Sequence, residues 1–138
     1  MYEVAEMTTA LTIQQVAHKT ALSVYTLRYY ERCGLIAPVG RASNGHRRYS
    51  ESDIRWIEFL NRLRLTGMPI RQMQQYARLV RQYPDTAFGE RKQLLEDHRK
   101  AVSEQIQQLQ ENLAVVDWKI QHYSNLEAKL NEHNNLNA

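Results

Sequence analysis

The hydrophobic positions along the chain predict two kinds of helix, several short ones followed by one long one. Thr12 and Gln15 have the spacing of a capping box, which predicts that a short helix begins at Ile13. Ser23 is suited to cap a second short helix, and Gly34 stands where a helix end favours the left-handed conformation. Two short helices with a brief connection between them are typical of a helix-turn-helix.

The next part of the chain predicts a β-wing and two more helices. Asn44-Gly45 is a strong signal for a two-residue hairpin turn. Ser50 is suited to cap a third helix, Gly67 to end it, and Pro69 to begin a fourth. The residues that we expect to face inward on these two helices are Ile54, Trp56, Ile57, Phe59, Leu60, Leu63, Ile70, Met73, Tyr76, Ala77 and Val80.

The last segment predicts a coiled coil. From Val102 to Tyr123 the apolar residues recur in alternating steps of four and three, which is the heptad pattern. We expect a helix that begins at an Asp85 or Thr86 cap and continues to about residue 127, and one narrow apolar stripe on it needs a partner. An identical chain is the simplest partner, and folding back on the N-terminal domain is the alternative. The predicted dimerisation residues are Leu95, Val102, Ile106, Leu109, Leu113, Val116, Ile120 and Tyr123.

These elements predict a mainly α fold, a winged helix-turn-helix with a small β-wing followed by a long dimerisation helix. We expect a loose tail over residues 1–10 and the winged helix-turn-helix over residues 11–84. The coiled-coil helix is expected over residues 85–130, with a second flexible tail over residues 131–138.

Positive charge is concentrated in the middle of the chain, although the net charge of the whole is only +3. Residues 28–81 contain arginine and no lysine, against four acidic residues. Arginine suits bidentate recognition of phosphate and guanine better than lysine does. This distribution is compatible with nucleic-acid binding and also with a merely solvated surface.

Several functions are not supported by the composition. No apolar run is long enough to span a membrane, and the N-terminus does not resemble a secretory signal, so we expect a cytoplasmic protein. Cys33 is the only cysteine, and the histidines are scattered, so we expect neither a metal site nor a cofactor. Without a nucleophile–base pair or a phosphate loop, we do not expect an enzyme.

The sequence resembles the MerR family of bacterial transcription regulators from residue 11 to about residue 123. The resemblance rests on the segments Leu11–Ala17, Leu22–Glu31, Gly34–Ile36, Asn44–Ser50, Asp53-Ile54 and Gly67–Ile70. Among these, Thr-Leu-Arg-Tyr-Tyr-Glu followed by Gly-Leu-Ile is highly specific. From Arg91 to Ile120 the chain is similar to the aldehyde- and thiol-stress branch, called NmlR-like, which would place it in a stress response.

The resemblance implies a homodimer with antiparallel long helices, bound to a pseudo-palindromic promoter in double-stranded DNA. Such regulators, associated with the nucleoid, distort the promoter spacer and thereby control RNA polymerase. It also implies DNA contacts by Tyr25, Thr26, Arg28 and Tyr29 on the second helix, by Arg47 and Tyr49 in the wing, and by Arg64. Arg41 and Arg48 are added as residues for which phosphate contact and plain solvent exposure both remain open.

The signal that such a regulator would sense is not evident from the residues. Aldehyde-responsive relatives place a reactive cysteine in the third helix, where this chain has Asn61-Arg62. Cys33 is the remaining candidate for a redox sensor, beside Arg32, and a small packing residue is the alternative. An effector-independent architectural or excisionase-like DNA-binding protein, and a coiled-coil adaptor without DNA binding, remain as alternative functions.

Overall fold

The computed structural model describes residues 10–37 and 48–137, and five helices lie within them. The mainly α fold is confirmed. The helices are α1 (Ile13–Thr20), α2 (Val24–Arg32), α3 (Glu51–Leu65), α4 (Ile70–Gln82) and α5 (Phe88–Leu136). The predicted wing turn Asn44-Gly45 lies outside the described residues, as do residues 1–9 of the predicted N-terminal tail.

The predicted caps of the first three helices are present. Thr12 and Gln15 form the complete capping box of α1, with N···O distances of 2.8 and 3.2 Å. The Ser23 hydroxyl accepts from the Thr26 N–H at 3.0 Å, and Ser50 forms a second capping box with Asp53. These bonds satisfy backbone donors that a helix N-terminus otherwise leaves without partners, which explains why the helices begin at these residues.

The long helix α5 differs at both ends from the sequence prediction. It begins at Phe88, after Ala87 in the left-handed region at φ 57°, rather than from an Asp85 or Thr86 cap. It continues through Leu136, so most of the residues predicted to be a C-terminal tail are helical. Neither glycine nor proline follows residue 89, and therefore no residue type in that stretch interrupts the helix.

The described chain divides into an N-terminal unit ending at His98 and a C-terminal unit beginning at Arg99. The N-terminal unit contains the hydrophobic core, whose fully buried members include Leu27, Tyr30, Ile57 and Leu60. Trp56 and Phe59 are partly buried against it, as their positions on α3 predict. On α4 the prediction was only partly right, because Met73 and Ala77 are buried whereas Ile70, the first residue of the helix, is 38% exposed.

The beginning of α5 belongs to the N-terminal unit. Leu95 packs against the core, and the His98 imidazole lies 2.7 Å from the Thr66 hydroxyl at the end of α3. The C-terminal unit, in contrast, consists of the remainder of α5, and no residue of that helix is classed as buried. None of the described helices is apolar and long enough to cross a membrane.

Candidate nucleic-acid interface

Helix α2 is held by its inner face, and this determines which of its side chains point outward. Leu27 and Tyr30 are 0% and 1% exposed and lie in the core. At about 100° per residue, the opposite face of the helix carries positions 25, 28, 29 and 32. The residues on that face therefore lie on one exposed surface of the helix.

This surface is a stripe of alternating aromatic and cationic residues, which we call the Tyr–Arg stripe: Tyr25, Arg28, Tyr29 and Arg32. Tyr25 is 72% exposed and Tyr29 is 41% exposed, and both arginines are exposed. The Arg32 guanidinium lies 5.9 Å from the centroid of the Tyr25 ring, within cation–π range. The stripe presents two guanidinium groups and two phenols, all of which are donors for phosphate oxygens or base edges.

Arg32 was not among the DNA-contacting residues predicted from the sequence. Its spacing carried the signal, because Arg32 is seven residues after Tyr25 and four after Arg28 and so shares their face. Exposure and the contact with Tyr25 now place it on the Tyr–Arg stripe.

The Tyr29 phenol is kept in its protonated form. A hydrogen bond to the Cys33 side chain, the largest cause, raises the pKa of Tyr29 above its ordinary value, and the charge on Arg32 partly opposes this. A phenol with the ordinary pKa of about 10 is already neutral at physiological pH, so Tyr29 adds no negative charge to this surface, and the raised pKa acts in the same direction. Cys33 is half-buried and is a free thiol.

Thr26 lies at the first turn of α2 and not on the Tyr–Arg stripe. Its hydroxyl is 2.9 Å from that of Ser23, and its N–H donates to the same oxygen. The first turn contains no acidic residue, so the positive end of the helix dipole is not neutralised there. A phosphate oxygen at this end of α2 would meet a favourable potential.

Of the other predicted cationic contacts, two are described and two are not. Arg64 is exposed on the last turn of α3, where its guanidinium donates to the Asn61 side chain at 3.3 Å. Its charge also acts on the Tyr30 phenol, whose pKa is raised mainly by burial and lowered in part by Arg64. Arg48 is half-buried. Arg41 and Arg47 lie outside the described residues.

Tyr49 is a correction to the sequence prediction. Its side chain is 0% exposed, so the ring is a core residue and does not present a DNA-contacting surface. Its backbone forms an antiparallel bridge with Leu11, in which each N–H donates to the other carbonyl at 2.8 Å. The apolar body of a tyrosine gains more from the core than from solvent, and the bridge places this ring inside.

The end of α2 is held in place by side chains from the two following helices. Trp56 Nε1 donates to the Leu35 carbonyl at 2.8 Å, and an Arg81 guanidinium N–H donates to the Gly34 carbonyl at 2.8 Å. Gln74 Nε2 donates to the Cys33 carbonyl at 3.0 Å. These bonds satisfy consecutive carbonyls after the last turn, and they fix the Tyr–Arg stripe relative to the core.

The predicted dimerisation residues lie in two different environments. The side chains of Ile106, Leu109, Leu113, Val116, Ile120 and Tyr123 are 50–68% exposed on α5 and share one face, which we call the heptad stripe. Val102 begins this stripe and is half-buried. Leu95 packs against the core of its own chain instead, so its placement does not require a second copy.

No metal centre is formed by the described residues, since residues 10–37 and 48–137 contain no cluster of three or more His, Cys, Asp or Glu side chains suited to an ion. Cys33 has no second cysteine with which to pair. The Cys33 side chain forms a hydrogen bond with the phenol of Tyr29, a residue of the Tyr–Arg stripe.

The sequence and the structure are both similar to known regulators. Residues 11–79 match the family description "MerR HTH family regulatory protein", and residues 54–119 match "MerR, DNA binding". An uncharacterized HTH-type transcriptional regulator of Haemophilus influenzae is 34% identical over 117 residues, which are 85% of this chain and 86% of that protein. The HTH-type transcriptional regulator AdhR of Bacillus subtilis is 43% identical over 94 residues, 68% of this chain and 66% of AdhR.

A solved structure has the same fold and contains DNA. The crystal structure of HiNmlR, described as a MerR family regulator lacking the sensor domain, bound to promoter DNA, superposes with a TM-score of 0.76 at 33% identity. The match covers 86% of this chain and 94% of that one. These relatives are transcription regulators, so an architectural protein without a regulatory role is not favoured.

Proposed function

Because the chain belongs to the MerR family and is a DNA-binding transcription regulator of that type, we propose that it acts as a homodimer on a pseudo-palindromic promoter. The observation that carries this proposal is the Tyr–Arg stripe, an exposed cationic face on a helix whose opposite face is buried in the core. Recognition helices enter the major groove with such a face, and phosphate contacts position the protein while a few base contacts select the site.

Within the stripe, the residues have different roles. Arg28 lies in the middle of the face and is the base-reading residue, because a guanidinium can bond both acceptors of a guanine edge. Tyr25, Tyr29 and Arg32 contact phosphates on either side of it. Thr26 and the start of α2 bind a further phosphate through the helix dipole. Arg64 adds a contact to the phosphate backbone of the DNA, as do Arg48, Arg41 and Arg47.

The homodimer is formed through the heptad stripe of two α5 helices in antiparallel arrangement. A run of half-exposed Leu, Ile and Val side chains along one face of a helix is unfavourable in water, and pairing with an identical stripe removes that exposure. Two identical reading helices then face DNA about a twofold axis, and this symmetry explains why the target is a pseudo-palindrome. The spacing of the half-sites follows from the geometry of the dimer.

Regulation acts on the DNA between the promoter elements. The dimer bends and untwists the spacer, and contacts of the two protomers with phosphates offset the free-energy cost of that distortion. RNA polymerase then finds its two promoter elements in the correct relative orientation. We assign the protein no cofactor.

The test is selection of bound sites from random double-stranded DNA with the purified protein, followed by footprinting and sedimentation of the complex. We expect two inverted half-sites protected by two protomers, with affinity that falls steeply as salt is raised. A bound site lacking inverted symmetry, or binding by one protomer alone, would contradict the homodimer proposal. Binding that does not change with salt would contradict the role of the cationic stripe.

A further inference from the structure

A cavity lies beside the C-terminal end of α2, in the N-terminal unit. Its volume is about 280 Å³, just below the roughly 300–1,000 Å³ that is typical of ligand pockets. Ser52, Asp53 and Trp56 line it from the first turns of α3, and Val80 and Arg81 from the last turns of α4. Ile36 closes the side formed by the segment that follows α2.

Two of the side chains that line this cavity also hold the end of α2. Trp56 donates to the Leu35 carbonyl and Arg81 donates to the Gly34 carbonyl, each at 2.8 Å. A molecule in the cavity would therefore touch the groups that fix the orientation of the Tyr–Arg stripe. The third holding residue, Gln74, does not line the cavity.

The lining indicates the chemistry of the occupant. Ile36, Trp56 and Val80 provide an apolar wall, and the Trp56 ring is itself stacked on Tyr76, with centroids 5.8 Å apart and planes 13° from parallel. Arg81 provides a guanidinium, which matches a carboxylate in a bidentate arrangement. Asp53 also lines the cavity and keeps its negative charge, with one carboxylate oxygen accepting from the Ser50 N–H at 2.9 Å, so the carboxylate of a ligand must lie on the Arg81 side.

We propose that this cavity is the effector site and that it binds a small aromatic carboxylate, which lowers DNA affinity by drawing Arg81 away from the Gly34 carbonyl. A guanidinium bonds a carboxylate more strongly than it bonds a neutral carbonyl, and so the ligand competes successfully. Release of Gly34 loosens the end of α2 and disorders the Tyr–Arg stripe. The effect on DNA binding rests on the proposed function, whereas the cavity and its ligand do not.

Ligand binding is tested first without DNA. The chain has two tryptophans, and replacing Trp118, which is 63% exposed on α5, by phenylalanine leaves Trp56 as the reporter within the cavity. Benzoate is the probe, and we expect saturable quenching of Trp56 fluorescence at concentrations up to about 10 mM, as befits a one-ring ligand. Benzamide, the neutral analogue, should bind about tenfold more weakly because it lacks the charge-assisted bond.

Three variants in the Trp118→Phe background locate the site. Arg81→Gln removes the guanidinium, and Val80→Phe fills the cavity while leaving Arg81 in place, so both should abolish quenching. Arg78→Gln, an exposed arginine on the same helix that does not line the cavity, should leave quenching unchanged. Far-UV circular dichroism checks that each variant is folded. If Arg81→Gln does not fold, the Val80→Phe variant alone tests whether benzoate binds in the cavity.

The coupling is then measured on DNA obtained by the selection described above. Saturating benzoate should weaken DNA binding by roughly fivefold or more, and this effect should be absent in Val80→Phe. If benzoate does not quench Trp56 while the protein still binds DNA, the effector site is wrong and the proposed function stands. Quenching without a change in DNA affinity, or with tighter binding, would overturn the competition for Arg81. Failure to select any DNA would overturn the proposed function, and the fluorescence titration would still decide the ligand site.

Discussion

The two units of this chain differ in how far they bury their apolar side chains. In the N-terminal unit Leu60 is completely buried by its own chain, whereas in the C-terminal unit Leu109 is 68% exposed. Both are leucines at inward positions of a regular helical pattern. The difference teaches that amphipathic periodicity identifies the face to be buried but does not say whether the same chain buries it.

The same contrast separates the chemistry of the two units. The cationic face of α2 is useful because the rest of the N-terminal unit holds α2 in one orientation, through the core and through the bonds from Trp56, Gln74 and Arg81. In the proposed homodimer, the heptad stripe of α5 is covered by the same stripe of a second copy. The proposed function therefore needs one unit that buries its apolar face within the chain and one that buries it against a second copy.

The largest expected effect is on assembly. Leu109→Lys together with Leu113→Lys places two cations on the heptad stripe, where they would face apolar side chains and each other in a dimer. We expect monomers in sedimentation and loss of footprinted binding at the selected site. The control pair Gln107→Lys and Ala114→Lys puts the same charges on the opposite face of α5, and it should leave the dimer intact. An intact dimer in the Leu109/Leu113 variant would contradict the heptad assignment.

The next effect is on the stability of the N-terminal unit. Leu60→Ala leaves a cavity in the core and should lower the free energy of unfolding by about 2–5 kcal/mol in urea denaturation. Leu65 on the same helix is 70% exposed, and its replacement by alanine should change stability by no more than about 0.5 kcal/mol. Equal costs for the two substitutions would show that the core does not lie where the structure places it.

A smaller effect is expected on DNA affinity. Arg28→Ala should weaken binding to the selected site by about 1–3 kcal/mol and relax the preference at one base pair. Arg99→Ala removes another exposed arginine, one that lies in the C-terminal unit, and should change the affinity little. Both are measured by fluorescence anisotropy at the same ionic strength. Unchanged affinity in Arg28→Ala would remove that residue from the interface.

The smallest effect concerns helix capping. Ser50→Ala removes the side chain that accepts from the Asp53 N–H at 3.2 Å, and should cost about 1 kcal/mol of unfolding free energy. Ser103→Ala, in the interior of α5, removes a hydroxyl from an exposed helical position and should be neutral or slightly stabilising. A Ser50→Ala variant as stable as the unaltered chain would show that the cap contributes nothing.

Local signals were sufficient for much of the fold and part of the interface. The capping box at Thr12, the cap at Ser50 and the left-handed Gly34 at φ 79° were predicted correctly. Each depends on residues within about one or two turns of one another, so the sequence contains all the interacting groups. Arg28 and Tyr29 were expected at the DNA from the family resemblance, and both side chains are exposed.

Contacts between distant segments could not be predicted in this way. Tyr49 was expected at the DNA and lies in the core because its backbone pairs with Leu11, 38 positions earlier in the numbering. Leu95 was predicted to be a dimerisation residue, but its side chain packs against the core of the N-terminal unit. The bonds from Trp56, Gln74 and Arg81 to the end of α2 join residues 21, 41 and 47 positions apart, and no local pattern indicates them.

The starts of the capped helices α1, α2 and α3 and most of their inward faces follow from the order of the residues, because they arise from backbone hydrogen bonding and from side chains a few positions apart. The packing of those helices decided which aromatic rings became core, which carbonyls received side-chain donors and where a cavity remained. Burial depends on the three-dimensional neighbours of a residue, and those neighbours are assembled from separate parts of the chain.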